Sequence, residues 1–370
     1  MSRREAPIVG LRAAAYRVPT EAPEADGTLE WDATTMVTVH VEAGGATGFG
    51  YSYASRAAAV LAVELLVPVL EGQEALDTAA RWRDMIDALR NQGRMGLAAC
   101  AVSACDAALH DLRGKLLGAP LADLLGRRRD RAPLYASGGF TNWVDDRLRD
   151  WTDEMREAGF EAIKIKVGAE IGREAARLAT ARQAAGETAL MADANGACDR
   201  KGALRLAECL ADHGAVWFEE PVSSDDLDGL RLLRDRGPAG LEIAAGEYAY
   251  DAWGFRRLLE AGAVDVLQAD ATRCCGITGL MQADALAWAH GVPLSIHCAP
   301  ALHLQPALCL QRLRHVEWFH DHARLEAMLL DGAPEPESGM AAPDPGRPGL
   351  GLELREADAE HFSVWQGRAA

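Results

Sequence analysis

The residues with chemical potential stand where apolar runs end: Lys164 and Lys166, Asp193 and Asn195, Glu219 and Glu220, Glu247, Asp270, His297 and Glu317. Successive positions lie roughly 20 to 28 residues apart, which is one strand plus one helix. Asp193, Glu219 and Glu247, on three successive runs, form an oxygen-only set that suits a hard cation such as Mg2+ rather than zinc. Glu220 follows Glu219, and strand alternation turns it the other way, so it is not counted as a ligand. Lys164 and Lys166 share a face at i and i+2. Two ammonium groups that close disfavour each other's charge and bring a lysine pKa toward a value useful to a base. Asp270 can hydrogen-bond His297, orienting the imidazole and stabilising its protonated form. Glu317, if protonated or hydrogen-bonded, can supply a donor to a carboxylate oxygen of a substrate. A cation flanked by bases on two sides is a site for removing a proton from the carbon next to a carboxylate, giving an enediolate.

Each residue alone has a plainer reading. A single acid at a strand end is usually a cap or a solvated charge, and the Asp270–His297 pair can be purely structural. The shared spacing, at the same end of each strand, carries the functional reading.

The elements that must position these groups are short β-rich runs at 134–138, 163–167, 190–195, 216–221, 241–247, 264–272, 293–300 and 316–319. Helical patterns separate them, as at 170–185, 204–213, 227–236 and 278–290. Strands alternating with helices imply a parallel sheet, and eight such runs imply a closed α/β barrel of the TIM type. No G-x-G-x-x-G follows an early strand, which weighs against a doubly wound open sheet. Earlier in the chain, Met36, Val37, Val39 and Val41 lead to Gly44-Gly45 and the run 47–51, which reads as a hairpin. A helix is expected from about Leu97 to Lys115, stopped by Gly118-Ala119-Pro120. The Pro- and Gly-rich stretch 331–351 reads as a linker.

Length and charge narrow the partners. The 370 residues suggest two domains. With 38 basic against 55 acidic residues the net charge is −17, which repels phosphate backbones and anionic lipid and argues against nucleic-acid or membrane partners. Eight cysteines without a C-x-x-C spacing point to reduced thiols in a cytoplasmic protein. The N-terminus lacks an apolar signal-peptide core, and the apolar run 57–70 is broken by Glu64 and Pro68, so it does not read as a membrane span.

Seven segments together carry a family resemblance: KIKVG (164–168), MADANG (191–196), WFEEPV (217–222), AAGE (244–247), QADATRCCGITG (268–279), SIHCAP (295–300) and HVEW (315–318). With AVSACDAALHDLRGKLLGAPLADLLG (101–126), they resemble the mandelate racemase subgroup of the enolase superfamily, the mandelate racemase/muconate lactonizing enzyme-like and acid-sugar dehydratase-like proteins. The resemblance implies a (β/α)7β TIM-type barrel under an α+β capping domain formed by the N-terminus and the C-terminal tail. On that reading residues 1–128 begin the cap, 129–340 form the catalytic barrel and 341–370 complete the cap. It further implies Mg2+ on Asp193, Glu219 and Glu247, acid/base roles for Lys166 and for His297 paired with Asp270, tuning of Lys166 by Lys164, substrate-carboxylate binding by Glu317 and a polar contact from Asn195. Two departures are peripheral: Cys274-Cys275 stands where glycines are more usual, and Gly48-Phe49-Gly50-Tyr51 where a terminal Glu is.

The subgroup shares its first step. Return of the proton on the opposite face, with Lys166 and His297 alternating, is racemisation or epimerisation of a 2-hydroxy acid. Loss of a β-hydroxyl, with His297 as general acid, is dehydration of a sugar acid to a 2-keto-3-deoxy acid. In the family the loop between the first two strands, here 20–32, folds over the barrel mouth; in this chain it holds five acids and one aromatic residue. Glu30 and Trp31 are therefore expected to meet substrate, and the polar character favours a sugar-acid dehydratase over a racemase. A binding protein that only holds a metal and a sugar acid is the third reading, and the filled catalytic set argues against it. The resemblance also implies a homo-oligomer.

Overall fold

Apolar residues on both faces of the N-terminal strands bury an antiparallel sheet between two cores. The computed structural model describes residues 5–170 and 172–368. Strands β1 (Ile8–Ala25), β2 (Glu30–Ala43) and β3 (Ala46–Tyr53) pair in sequence, and the terminal strand Ser363–Arg368 adds to β1. Gly44 and Gly45, both with positive φ, make the β2–β3 turn. Ala13, Ala15, Val37, Val39 and Val41 face a helical core, whereas Ala14, Tyr16, Met36, Phe49 and Tyr51 face the barrel. Period-two alternation thus separates two apolar faces, not an apolar from a polar one.

The helix Leu97–Leu117 lies on β3 at Gly48 and Gly50. A Cβ there would come within 2.1 Å of Ala108 O and 2.4 Å of Ala104 O, so these two glycines permit the close approach. Asp106 of this helix accepts from Thr278 N at 2.9 Å and Thr278 Oγ1 at 2.8 Å, fastening cap to barrel. Asp111 accepts from Phe49 N at 2.8 Å and Leu350 N at 2.7 Å, joining β3 and the tail.

Eight parallel strands follow: β4 (Ala132–Gly138), β5 (Ala162–Lys166), β6 (Ala189–Asp193), β7 (Ala215–Glu219), β8 (Glu242–Ala245), β9 (Val266–Ala269), β10 (Leu294–Ile296) and β11 (Leu313–Phe319). Neighbours pair in chain order and β11 pairs with β4, closing the barrel. Each strand is followed by a helix; after β11 this is His320–Leu329, which leads toward the tail. Tyr135, Met191, Trp217, Ala244 and Val266 form a small apolar cluster among the strands. The register aligns Lys166 with Asp193 and Asp193 with Glu219, placing three charged groups at one level. The stretch 331–351, expected as a linker, is partly ordered against the barrel: Met340–Ala341 pairs with the start of β4 and Leu350 is buried. Among the described residues no helix is long and apolar enough to cross a membrane.

Candidate active site

Asp193 ends β6, Glu219 ends β7 and Glu247 lies two residues past β8. All three are buried, and one ligand oxygen from each falls within 4.8 Å of the others. Burial, and then Asp193, raise the Glu219 carboxyl to about 7, as expected for carboxylates crowded without enough positive charge. Glu220 turns out of the strand with φ 38°, so strand alternation does not govern it. Its Oε1 and the Oδ1 of Asn195 are buried without a hydrogen-bond partner in the structure. A hard divalent cation fits this oxygen-rich, electron-rich surround.

The lysines sit on the carboxylates. Lys166 Nζ is 2.6 Å from Asp193 Oδ2. Lys164 Nζ is 2.7 Å from Glu219 Oε2 and 2.9 Å from Glu317 Oε1. The expected lowering of Lys166 by Lys164 is outweighed here. Burial pulls Lys166 down and Lys164 adds to that, but Asp193, Glu219 and Glu247 lift it above the usual lysine range. A cation among the carboxylates competes for those same oxygens and leaves the Lys164 repulsion less opposed.

On the other side, His297 Nδ1 is 2.8 Å from Asp270 Oδ2, and Asp270 Oδ1 accepts from Thr272 N at 2.7 Å. Nε2 of His297 is then the nitrogen presented to the chemistry, 3.0 Å from Glu247 Oε2 and 4.0 Å from Glu317 Oε2. Burial opposes the imidazolium, yet Cys298, Glu247 and the Asp270 hydrogen bond raise His297 well above its ordinary value. Behind Asp270, the N–H of Ala271 donates to His303 Nε2 at 2.8 Å. His303 is therefore neutral, and its Nδ1–H donates to Cys298 O at 2.9 Å. Burial keeps it so. Glu317 accepts from Cys298 N at 2.9 Å. Burial opposes its charge, but Lys164 and His297 hold it well below the usual carboxylate range. Both Glu317 oxygens thus face donors, Lys164 Nζ and Cys298 N, which favours its ionised form over the protonated one that would donate to substrate.

Lys166, Asn195, Glu247, His297 and Glu317 all line one cavity of about 350 Å³ between barrel and cap. The segment 20–32 covers it, but as the end of the β1–β2 hairpin and not as a loop. Gly27 packs so tightly on the barrel that a Cβ would lie 2.5 Å from Ala194 O and 2.8 Å from Val167 O. Thr141 Oγ1 donates to Asp26 O at 2.8 Å and Asn142 Nδ2 to Pro23 O at 2.8 Å. Most acids of this hairpin are occupied elsewhere. Glu24 accepts from Trp31 Nε1 at 3.0 Å, and Asp32 pairs with Arg17. Asp26 borders the cavity while its Oδ1 accepts from Leu29 N at 2.8 Å. Trp31 lines the cavity as expected. Glu30 does not: it is exposed and lies outside the lining. The cap wall is instead Trp31, edge-on to Phe140, and Tyr53, stacked on His322 at 3.6 Å.

Arg273 and Cys298 also line the cavity, and sequence reasoning missed both. Arg273 Nη1 is 3.0 Å from Glu247 Oε1, and its Nε is 3.8 Å from Asp270 Oδ2. Its place three residues after Asp270 was the available signal. Cys275, by contrast, is backbone punctuation: with φ 64° it precedes the helix Gly276–His290 and accepts from Trp82 Nε1 through its carbonyl.

A family model described as mandelate racemase / muconate lactonizing enzyme, N-terminal domain, matches residues 13–126, and one described as enolase C-terminal domain-like matches 147–358. The chain belongs to the mandelate racemase subgroup of the enolase superfamily. Within it, a mandelate racemase/muconate lactonizing enzyme-like protein from Rubrobacter xylanophilus has a similar structure, with 47% identity and a TM-score of 0.95 over 97% of this chain and 100% of that one. A D-galactarolactone cycloisomerase from Agrobacterium fabrum is 32% identical over 93% of this chain and 95% of its own. The L-talarate/galactarate dehydratase from Salmonella typhimurium LT2, in a structure liganded with Mg and L-lyxarohydroxamate, superposes with a TM-score of 0.89 at 27% identity, covering 100% of this chain and 97% of that chain. The cycloisomerase is an isomerase and the dehydratase a lyase.

Proposed function

We propose that the protein is a Mg2+-dependent sugar-acid dehydratase, converting its substrate to a 2-keto-3-deoxy acid. The observation that carries this reading is the placement of Lys166 and His297. They contact two different members of the carboxylate triad, Asp193 and Glu247, and face the same cavity. Lys166 Nζ takes the α-proton. His297 Nε2 delivers a proton to the departing β-hydroxyl, which leaves as water, and the resulting enol tautomerises to the ketone. Asp193, Glu219 and Glu247 would hold Mg2+, which when bound would supply positive charge beside the substrate carboxylate. Asp270 fixes the His297 tautomer, and Lys164 and Glu317 hold each other in place beneath the reacting carboxylate. Residues 1–128 and 341–370 act as the cap over the barrel 129–340, supported by the pairing of Ser363–Arg368 with β1.

The dehydratase relative supports loss of water. The cycloisomerase relative favours a second reading, an isomerase that uses the same proton abstraction. Incubating the protein and Mg2+ with a library of sugar acids and their lactones separates them. Dehydration releases keto-acid; epimerisation or cycloisomerisation changes the NMR spectrum of the acid without releasing water, and racemisation shows as loss of optical rotation with exchange of the α-proton in D2O. Absence of keto-acid from every member that is turned over would overturn the dehydratase reading.

A further inference from the structure

We propose that His297, Cys298 and Glu317 form a second metal site, suited to a softer cation such as Zn2+, beside the oxygen-only triad. One ligand atom from each lies within 4.8 Å of the others. His297 Nε2 is 3.2 Å from Cys298 Sγ and 4.0 Å from Glu317 Oε2. With Zn–S near 2.3 Å and Zn–N near 2.0 Å, tetrahedral sulfur and nitrogen ligands sit about 3.5 Å apart; the His297–Cys298 separation is close to that, and Glu317 lies slightly farther out.

Three further features fit a metal. Asp270 holds Nδ1 of His297 at 2.8 Å, the carboxylate–histidine arrangement that orients imidazoles toward zinc through the other nitrogen. Neighbouring side chains on a strand point apart, but Cys298 has φ 50°, which breaks that alternation and lets its thiol lie beside the imidazole. All three residues line the cavity, leaving the fourth position open to water or substrate. The nitrogen–sulfur–oxygen set prefers Zn2+ or Co2+, and the three carboxylates prefer Mg2+. The two sites thus sort cations by hardness a few ångströms apart.

Binding moves the thiol proton to solvent and engages the Nε2 lone pair, so His297 can neither accept nor deliver a proton. Zn2+ therefore inhibits the Mg2+-saturated enzyme without displacing Mg2+. The inhibition rests on the His297 role proposed above; metal binding itself does not, and the two are read separately.

The test adds Co2+ and then Zn2+ to the Mg2+-saturated protein. Expected are a near-ultraviolet thiolate-to-cobalt charge-transfer band, one tight Zn2+ equivalent by equilibrium dialysis, and loss of turnover with that equivalent. Cys298→Ala should lose the band, weaken Zn2+ binding at least about 10-fold and keep its Mg2+-supported turnover in the presence of Zn2+. Cys298→Ser serves as the conservative check on folding. A band or Zn2+ affinity unchanged in Cys298→Ala, or inhibition relieved simply by raising Mg2+, would overturn the proposal. Zn2+ bound with the cobalt band but without inhibition would leave the site standing and count against His297 as the acid.

Discussion

Nε2 of His297 lies 3.0 Å from Oε2 of Glu247, so the imidazole that Asp270 orients from behind touches the carboxylate triad in front. The proposed acid and the proposed metal ligands therefore form one continuous network, with Lys166 on Asp193 at its far side. Replacing His297 with Asn keeps a side-chain amide but removes the proton carrier. Dehydration should fall by about 10² to 10⁴-fold, while deuterium exchange at the substrate α-carbon through Lys166 persists. Rapid-quench assays beside NMR exchange measure both; full turnover in the variant would contradict the assignment.

Arg273 bridges Glu247 and Asp270 and so couples the triad to the acid. Arg273→Ala should weaken Mg2+ binding by about 10 to 100-fold and shift the pH profile of kcat, with Arg273→Lys restoring part of each. A loss of thermal stability without change in Mg2+ affinity or pH profile would assign Arg273 a purely structural part.

Mg2+ should stabilise the fold, because only the folded chain assembles the three carboxylates. At 100 times its Kd a ligand adds about 2.7 kcal/mol, read as a rise in Tm. Asp193→Asn should abolish that rise. An equal rise in wild type and variant would place the cation elsewhere.

Gly27 lies against Ala194 O and Val167 O without room for a Cβ. Gly27→Ala should lift the hairpin tip at a cost of about 1 to 3 kcal/mol. The expected result is a higher KM and a wetter cavity, with little change in Mg2+ binding. An unchanged KM would show that the cover does not touch substrate.

Burial, and then Asp321, raise Glu24 to about 8 from 4.5. The folded protein thus holds this proton more tightly than the unfolded chain. Its stabilising effect is complete below pH 4.5, declines as pH rises and is gone above about 8. Glu24→Gln should flatten that part of the stability profile, measured by urea unfolding across pH 5 to 9 and compared with wild type. The same slope in both would exclude Glu24 as its source.

The barrel was legible because charged groups broke otherwise apolar strands at a constant spacing, which burial disfavours unless the groups work together. That logic singled out Asp193, Glu219, Glu247, Asp270, His297 and Glu317, which the structure brings together at one end of the barrel. It did not reach Arg273 or Cys298, which lie on loops where no periodicity restricts direction. Segment 20–32 is a loop on the family resemblance alone; in the structure the β1–β2 pairing runs through it, accommodating Pro19 and Pro23 by a register shift between Pro19 and Glu24. The i, i+2 lysine pair alone omits Asp193 on the neighbouring strand, whose charge opposes the lowering of Lys166 by Lys164 when no cation engages the carboxylate.

Proton abstraction from carbon next to a carboxylate is read out by ¹H NMR of sugar acids incubated in D2O with the protein and Mg2+. Deuterium is expected at the α-carbon, or at C3 of the released 2-keto-3-deoxy acid, dependent on Mg2+ and absent from the Lys166→Met/His297→Asn double variant. A protein that binds Mg2+ yet incorporates no deuterium and releases no keto-acid across the whole library would contradict it.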